Sequence, residues 1–264
     1  VDDLYQRWQA LRLQQPRLRA REAAAALGVS EAELTASRLG VDAVRLRPEW
    51  ADLLPALSEL GRVMVLTRNE YCVHERHGLY REVSVAANGQ MGLVVSADID
   101  LRLFFGGWAS VFAVVEQTAK GALRSLQVFD RQGVAVHKVY LTDDSQLAAW
   151  EPVLARFAAA EQSPELALQP LPVVEPCKPD AEIDLQALRE GWAALKDTHH
   201  FFALLKKHQV ARTQALRLAG SQWAEPLATA ELPRLMEQAG AGEVPIMVFV
   251  GNRHCIQIHT GLVH

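Results

Sequence analysis

The sequence predicts an α+β fold made by tandem duplication, each half carrying helices followed by a large, mostly antiparallel β-sheet. Three observations lead there. Residues 62–141 read as short β-rich segments divided by turn signals, whereas the stretches before and after them carry helical spacing. A phrase occurs twice, starting at Met64 and Met247, with Asn69/Asn252, Cys72/Cys255 and Gly78/Gly261 matched at a constant offset of 183 residues. Trp8-Gln9-Ala10-Leu11 is echoed by Trp192-Ala193-Ala194-Leu195 at nearly the same offset. Solenoid repeats have periods of about 20–50 residues, so this one implies duplicated halves of domain size.

The elements follow in order. Leu4, Trp8 and Leu11 recur at helical spacing, an alanine-rich run from Arg21 to Leu27 ends at Gly28, and Ser30-Glu31-Ala32-Glu33 is a capping box for a third helix. These helices could be misread as a helix-turn-helix; without a basic recognition face they read as a helical lid on a sheet. Strands are expected at 62–67, 79–85, 91–96, 99–105, 110–116, 123–129 and 134–141, with turns at Asn88-Gly89, Lys120-Gly121 and Gln132-Gly133. Helix is expected over 143–160, capped by Asp143 or Asp144. The organisation is then an N-terminal repeat (1–160), a Pro-rich linker (161–181) with Pro164, Pro170, Pro172, Pro176 and Pro179, and a C-terminal repeat (182–264). In the latter, helices at 184–208, 211–219 and 229–239 precede strands at 245–250, near 254–259 and at 262–264. The second copy breaks off shortly after Gly261, and by internal symmetry roughly 80 residues of it are missing.

Composition narrows the class. Half the residues are apolar, enough for substantial cores, and no run approaches a membrane span. A net charge of −4 without charge blocks argues against a nucleic-acid partner. Three cysteines, two at equivalent repeat positions, read as buried thiols of a cytoplasmic protein.

Among residues that could carry chemistry, Leu185, Leu188, Trp192, Leu195, His199 and Phe202 form one apolar stripe spaced 3, 4, 3, 4 and 3. An imidazole in that stripe needs partners. It is either a hydrogen-bonded core histidine or an axial ligand presented from an apolar wall to a haem iron. His200, turned about 100° away, reads as solvent-facing. On the segment Asp98–Phe105, Ile99, Leu101 and Leu103 share one face and Asp100, Arg102 and Phe104 the other. Arg102 could overhang a planar ligand or sit in a surface ion pair with Asp100. Arg212 could hold a carboxylate or be solvated. His74/His77 and His254/Cys255/His259/His264 match no zinc spacing, and no phosphate loop or nucleophile elbow is present.

These segments resemble a known family. Asp197-Thr198-His199-His200-Phe201-Phe202-Ala203-Leu204-Leu205-Lys206, Arg68-Asn69-Glu70-Tyr71-Cys72-Val73-His74-Glu75, Asp100-Leu101-Arg102-Leu103-Phe104, Trp108-Ala109-Ser110-Val111-Phe112 and Phe249-Val250-Gly251-Asn252-Arg253 are similar, in order, to the bacterial cytoplasmic haemin transport and haem-degrading proteins of the HemS/ChuS type. The resemblance implies haem b (iron protoporphyrin IX) clamped between the halves, with His199 as proximal metal ligand, Arg102 over the distal face, Phe104 and Phe249 against the macrocycle, and Arg212 on a propionate. His200 becomes an alternative ligand suited to release. No histidine stands at 12–20, where the counterpart of His199 would fall, so one pocket per chain is expected. The family's further propionate-binding residues would lie past His264. Two activities follow: a carrier that takes haem from an importer and delivers it to a haem oxygenase, or an enzyme that itself opens the porphyrin with an external electron donor.

Overall fold

The computed structural model describes residues 2–173, 176–196 and 200–263. They form two compact units, Val1–Leu171 with Val244–Leu262, and Pro172–Glu243 with Val263–His264. The units are not the two repeats, because the second copy of the repeated phrase lies in the first unit.

The first unit opens with α1 (Asp2–Gln14), α2 (Ala20–Leu27) and α3 (Glu31–Ala36). Gly28 closes α2 in the left-handed region at φ 70°. The expected capping box forms: the Glu33 amide donates to Ser30 Oγ at 3.2 Å and the Ser30 amide to Glu33 Oε2 at 2.8 Å. Ala32 and Ala36 of α3 pack on Phe112, Phe129 and Ala135 of a sheet, so α3 covers a sheet face, and Trp8 of α1 and Ala23 and Ala24 of α2 pack with Leu34 of α3.

Strands β1 (Ala43–Leu46), β2 (Gly61–Arg68), β3 (Val73–Gly78), β7 (Trp108–Thr118), β8 (Gly121–Asp130) and β9 (Ala135–Ser145) form a six-stranded sheet in the order β1-β7-β8-β9-β2-β3. Strands β4 (Val83–Val85), β5 (Met91–Val95), β6 (Asp100–Phe104), β10 (Ile246–Gly251) and β11 (Cys255–Gly261) form a five-stranded sheet in the order β10-β11-β6-β5-β4. All pairings are antiparallel. The largest core lies between the sheets, with Val63, Val65, Val111 and Val139 of the first meeting Val94, Leu101, Leu103 and Cys255 of the second. Helices α4 (Trp50–Ala56) and α5 (Trp150–Phe157) close it.

The duplication is visible in hydrogen bonds. In the β2–β3 hairpin Met64 faces His77 and Leu66 faces Glu75; in β10–β11 Met247 faces Thr260 and Phe249 faces Ile258, the same register 183 residues on. The hairpins meet across a local pseudo-two-fold. Gln257 Nε2 donates to the His74 carbonyl at 2.9 Å, His74 Nδ1 lies 3.3 Å from the Gln257 carbonyl, and Arg76 donates to His259 Nδ1 at 3.0 Å. Asn69 Nδ2 donates to the Gly251 carbonyl at 3.0 Å and Asn252 Nδ2 to that of Arg68 at 3.2 Å.

The second unit holds α6 (Leu185–Ala193), α7 (Phe201–His208), α8 (Arg212–Ala219) and α9 (Glu231–Ala241). Leu188, Leu204, Val210 and Ala215 form its core.

Several expectations need correction. The single helix at 184–208 is two helices. Trp192 meets Phe201 edge-on at 4.8 Å; nine residues apart on one helix they would face opposite ways, about 13.5 Å apart along the axis. The stripe therefore does not continue to Phe202, which is 74% exposed, while Phe201, Leu204 and Leu205 turn to the core. Helix does not begin at Asp143, because β9 runs to Ser145, which pairs with Gly61. The segment 79–85 is strand only at Val83–Val85; the strand before it is β3, hidden in the sequence by its charged His74-Glu75-Arg76-His77 run. Leu262 and Val263 are outside any strand. Of the cysteines only Cys255 is buried. Cys72 sits at the equivalent hairpin position, but β11 is flanked by β6, whereas β3 has no second neighbour among the described residues.

Candidate functional site

The outer face of the five-stranded sheet carries the site. On β6, Leu101 and Leu103 are fully buried, which by alternation turns Asp100, Arg102 and Phe104 to the other side. Residues opposed in register share a face, so the strands carry this side outward in rows. Gly251, Ile256, Arg102 and Leu93 form one row; Phe249, Ile258, Asp100 and Val95 form the next; Phe104 pairs with Met91, and Met247 with Thr260. The result is an apolar surface with one guanidinium and one carboxylate in it. Phe249 is 58% exposed, Met247 55% and Phe104 36%. Exposed apolar side chains grouped on one face mark a binding surface.

The ends of the strands are pinned. The His254 carbonyl, in the β10–β11 turn, accepts from the Phe104 amide at 3.0 Å and from Trp108 Nε1 at 3.1 Å. Gly107 makes room for that turn: a Cβ there would lie 2.0 Å from the His254 ring. Gly107 of the bare Gly106-Gly107 pair thus serves packing.

Arg102 Nη1 is ion-paired with the Asp100 carboxylate and also donates to the Leu101 carbonyl at 3.2 Å. The flanking positions on β11 and β5 are apolar. Asp100 and the apolar neighbours Met247, Ile256, Met91 and Leu93 were not among the predicted contact residues; period-two alternation could have found Met247 beside Phe249, while the others needed cross-strand register.

The remaining predicted residues lie elsewhere. His200 is exposed at the N-terminus of α7. Arg212 is the exposed first residue of α8, its guanidinium 5.8 Å from the Phe201 ring centre. His199, the predicted axial ligand, lies outside the described residues. The structure thus brings together Arg102, Phe104 and Phe249. No metal-binding cluster of His, Cys, Asp and Glu occurs among the described residues; His74 and His259 instead join the two hairpins.

Beneath the sheet is a buried polar chain that sequence reading missed. His137 lies 2.8 Å from the Tyr80 hydroxyl through Nε2 and 3.0 Å from Thr67 Oγ1 through Nδ1, and Thr67 reaches Cys255 Sγ at 3.2 Å. Burial lowers His137 to about 4 and raises Cys255 to about 12. These groups are satisfied by one another and face the core, so they serve the scaffold.

Known proteins share this architecture over about three quarters of their own length. A profile of the haemin-degrading HemS/ChuX domain matches residues 28–157 and 209–264. The hemin transport protein HmuS of Yersinia pestis is 43% identical over 264 residues, covering 98% of this chain and 74% of that protein. Holo-PhuS, a heme-binding protein from Pseudomonas aeruginosa, superposes with a TM-score of 0.97 at 66% identity, over 99% of this chain and 75% of that one. ChuS, an E. coli heme oxygenase, does so with a TM-score of 0.86 at 39% identity, over 99% and 76%. With the matched segments spanning most of the sheet scaffold and relatives aligned nearly end to end on this chain, it belongs to the haemin-degrading HemS/ChuX-domain family.

Proposed function

We propose that this chain binds haem against the outer face of the five-stranded sheet and carries it, within the cytoplasm, toward iron recovery. The observation that supports this most is the exposed apolar face itself, with Phe249, Met247 and Phe104 around a single guanidinium. A porphyrin needs a flat apolar support, and three strands span about 10 Å across their direction. The macrocycle would rest on Phe104 and Phe249, with Arg102 directed at whatever occupies the distal iron position. His199 is the proposed axial ligand, His200 its alternative, and Arg212 the partner of a propionate. The sequence holds no Cys-x-x-Cys-His, which supports non-covalent haem b. An importer as donor and a haem oxygenase as acceptor complete this reading.

The second reading, oxidative opening of the bound porphyrin, is favoured by the relative ChuS, which is a heme oxygenase. In either case the chain's residues do the same work: they exclude water from one face and place a positive charge there.

The test is titration of the apo-chain with haemin. Double substitution of His199 and His200 by Ala is expected to lose the Soret shift and weaken affinity; unchanged spectrum and affinity would remove both as ligands. Arg102→Ala is expected to raise the pH at which iron-bound water ionises, since a nearby guanidinium favours the anion. Supplying reductant and oxygen then separates the readings: intact haem passed to a haem oxygenase supports the carrier, and a biliverdin-like product with iron release supports the enzyme.

A further inference from the structure

Asp100 is out of place on a surface built for an apolar ring. Its register neighbours are Ile258 on β11 and Val95 on β5, and the next row holds Ile256 and Leu93. A carboxylate among such side chains gains nothing from packing and loses hydration. Its ion-pair partner among the described residues is Arg102, two residues along the same strand face. Both side chains are mostly covered, at 20% and 25% exposure.

The geometry of that pair is specific. The Asp100 carboxylate and the Leu101 carbonyl both take Arg102 Nη1 as donor. Nε and Nη2 make no hydrogen bond among the described residues, so the opposite side of the guanidinium fork remains free to donate. An arginine without this anchor has several rotatable bonds and would spread its charge over a wide arc. Held at Nη1, the fork is fixed toward the Asp100 end of β6.

We infer that Asp100 is the positioning residue for Arg102: it fixes the guanidinium on the sheet face and offsets its charge, setting how strongly the site holds an anion there. This rests on the haem-binding reading above. Two consequences follow. In the apo-chain the pair keeps Arg102 ordered on an otherwise apolar surface. In the haem complex, Asp100 competes with any anionic iron ligand for the guanidinium, keeping water rather than hydroxide on the iron over a wider pH range.

The experiment uses wild type, Asp100→Asn and Asp100→Glu. The first readout needs no haem: the ¹⁵Nη1–H signals of Arg102 in the apo-chain, the group that the Asp100 carboxylate holds. They are expected to be sharp and protected in wild type and Asp100→Glu, and lost to exchange in Asp100→Asn. The second is the spectroscopic midpoint of the alkaline transition of the ferric haem complex. Removing the carboxylate leaves the guanidinium charge unopposed, so Asp100→Asn should lower that midpoint by about half a pH unit or more. Asp100→Glu, which keeps the charge, should leave it near the wild-type value. A haem-competent Asp100→Asn chain with an unmoved midpoint, or an Arg102 signal indifferent to the substitution, overturns the assignment. A wild-type chain that binds no haem overturns the functional reading and this proposal with it, and is recognised separately because the failure is then in the parent protein.

Discussion

At the scale of single residues, His137 shows what burial does to a titratable group in this scaffold. Its folded-state value of about 4 lies below the ordinary 6.5 because the ring has left water. The unfolded chain therefore binds a proton that the folded chain refuses between those two pH values. Above pH 6.5 the group has no effect; as pH falls toward 4, stability falls with it. The full loss is about 3 kcal/mol, at about 1.4 kcal/mol per pH unit. Urea unfolding at pH 7.5, 6 and 4.5 checks this: the wild-type midpoint should fall, and part of the slope should vanish in His137→Gln. Equal slopes in the two proteins would mean that His137 charges freely in the folded state. The same scale governs Cys255, whose thiol is held protonated to about 12 and should resist alkylation at pH 8 in the folded chain, while Cys72 and Cys177, both exposed, react.

At the scale of elements, the repeated Asn-x-x-Cys turns do more than end a strand. Asn252 Oδ1 accepts the His254 amide at 3.0 Å, while its Nδ2 donates to the carbonyls of Arg68 and Val136 at 3.2 and 2.7 Å. One side chain thus shapes its own hairpin and ties it to the other copy. Asn252→Ala leaves those backbone groups without partners in a half-buried place and should cost about 2 kcal/mol. Asn69→Ala, which loses the reciprocal bond to Gly251, should cost a similar amount. A double-mutant cycle by urea denaturation should show coupling between them, since they stitch the same seam. Strict additivity would mean that the two bonds act independently across the seam. The positions matched by the repeat were legible as equivalent from spacing alone. That they bond to one another was not, because a linear repeat does not say whether its copies lie apart or face to face.

At the scale of the whole molecule, the first unit is closed by strands from the far end of the chain. β11 pairs with β6, more than 140 residues earlier, and the 162–170 stretch lies along this unit through Arg45–Gln162 bonds of 2.7 and 2.9 Å and a 2.7 Å bond from the Gln169 amide to the Arg131 carbonyl. Limited proteolysis should therefore spare 162–170 and cut beyond Leu171. The two fragments should co-elute under native conditions and separate only in denaturant, because the β6–β11 ladder and the Asn69–Asn252 seam still join them. Fragments that separate without denaturant would refute this topology.

From the sequence alone came the α+β class, the capping box at Ser30 and the two-faced character of β6, since local propensity and alternation determine each of these, and the duplication, since a phrase recurs at one offset. Spacing also put Arg102 and Phe104 on one side of a strand, and the family resemblance added Phe249 to the same ligand. Tertiary structure decided the rest. The 184–208 stripe looked continuous because helical spacing does not register where a helix ends; the Trp192–Phe201 ring contact shows that it does. β3 escaped notice because its charged side chains are satisfied by partners far along the chain, such as His259 and the Asp98 carbonyl for Arg76. The apolar face around Arg102, and Asp100 within it, became visible only when β10 and β11 were laid beside β6, because cross-strand register is a long-range choice made by packing and not by neighbouring residues.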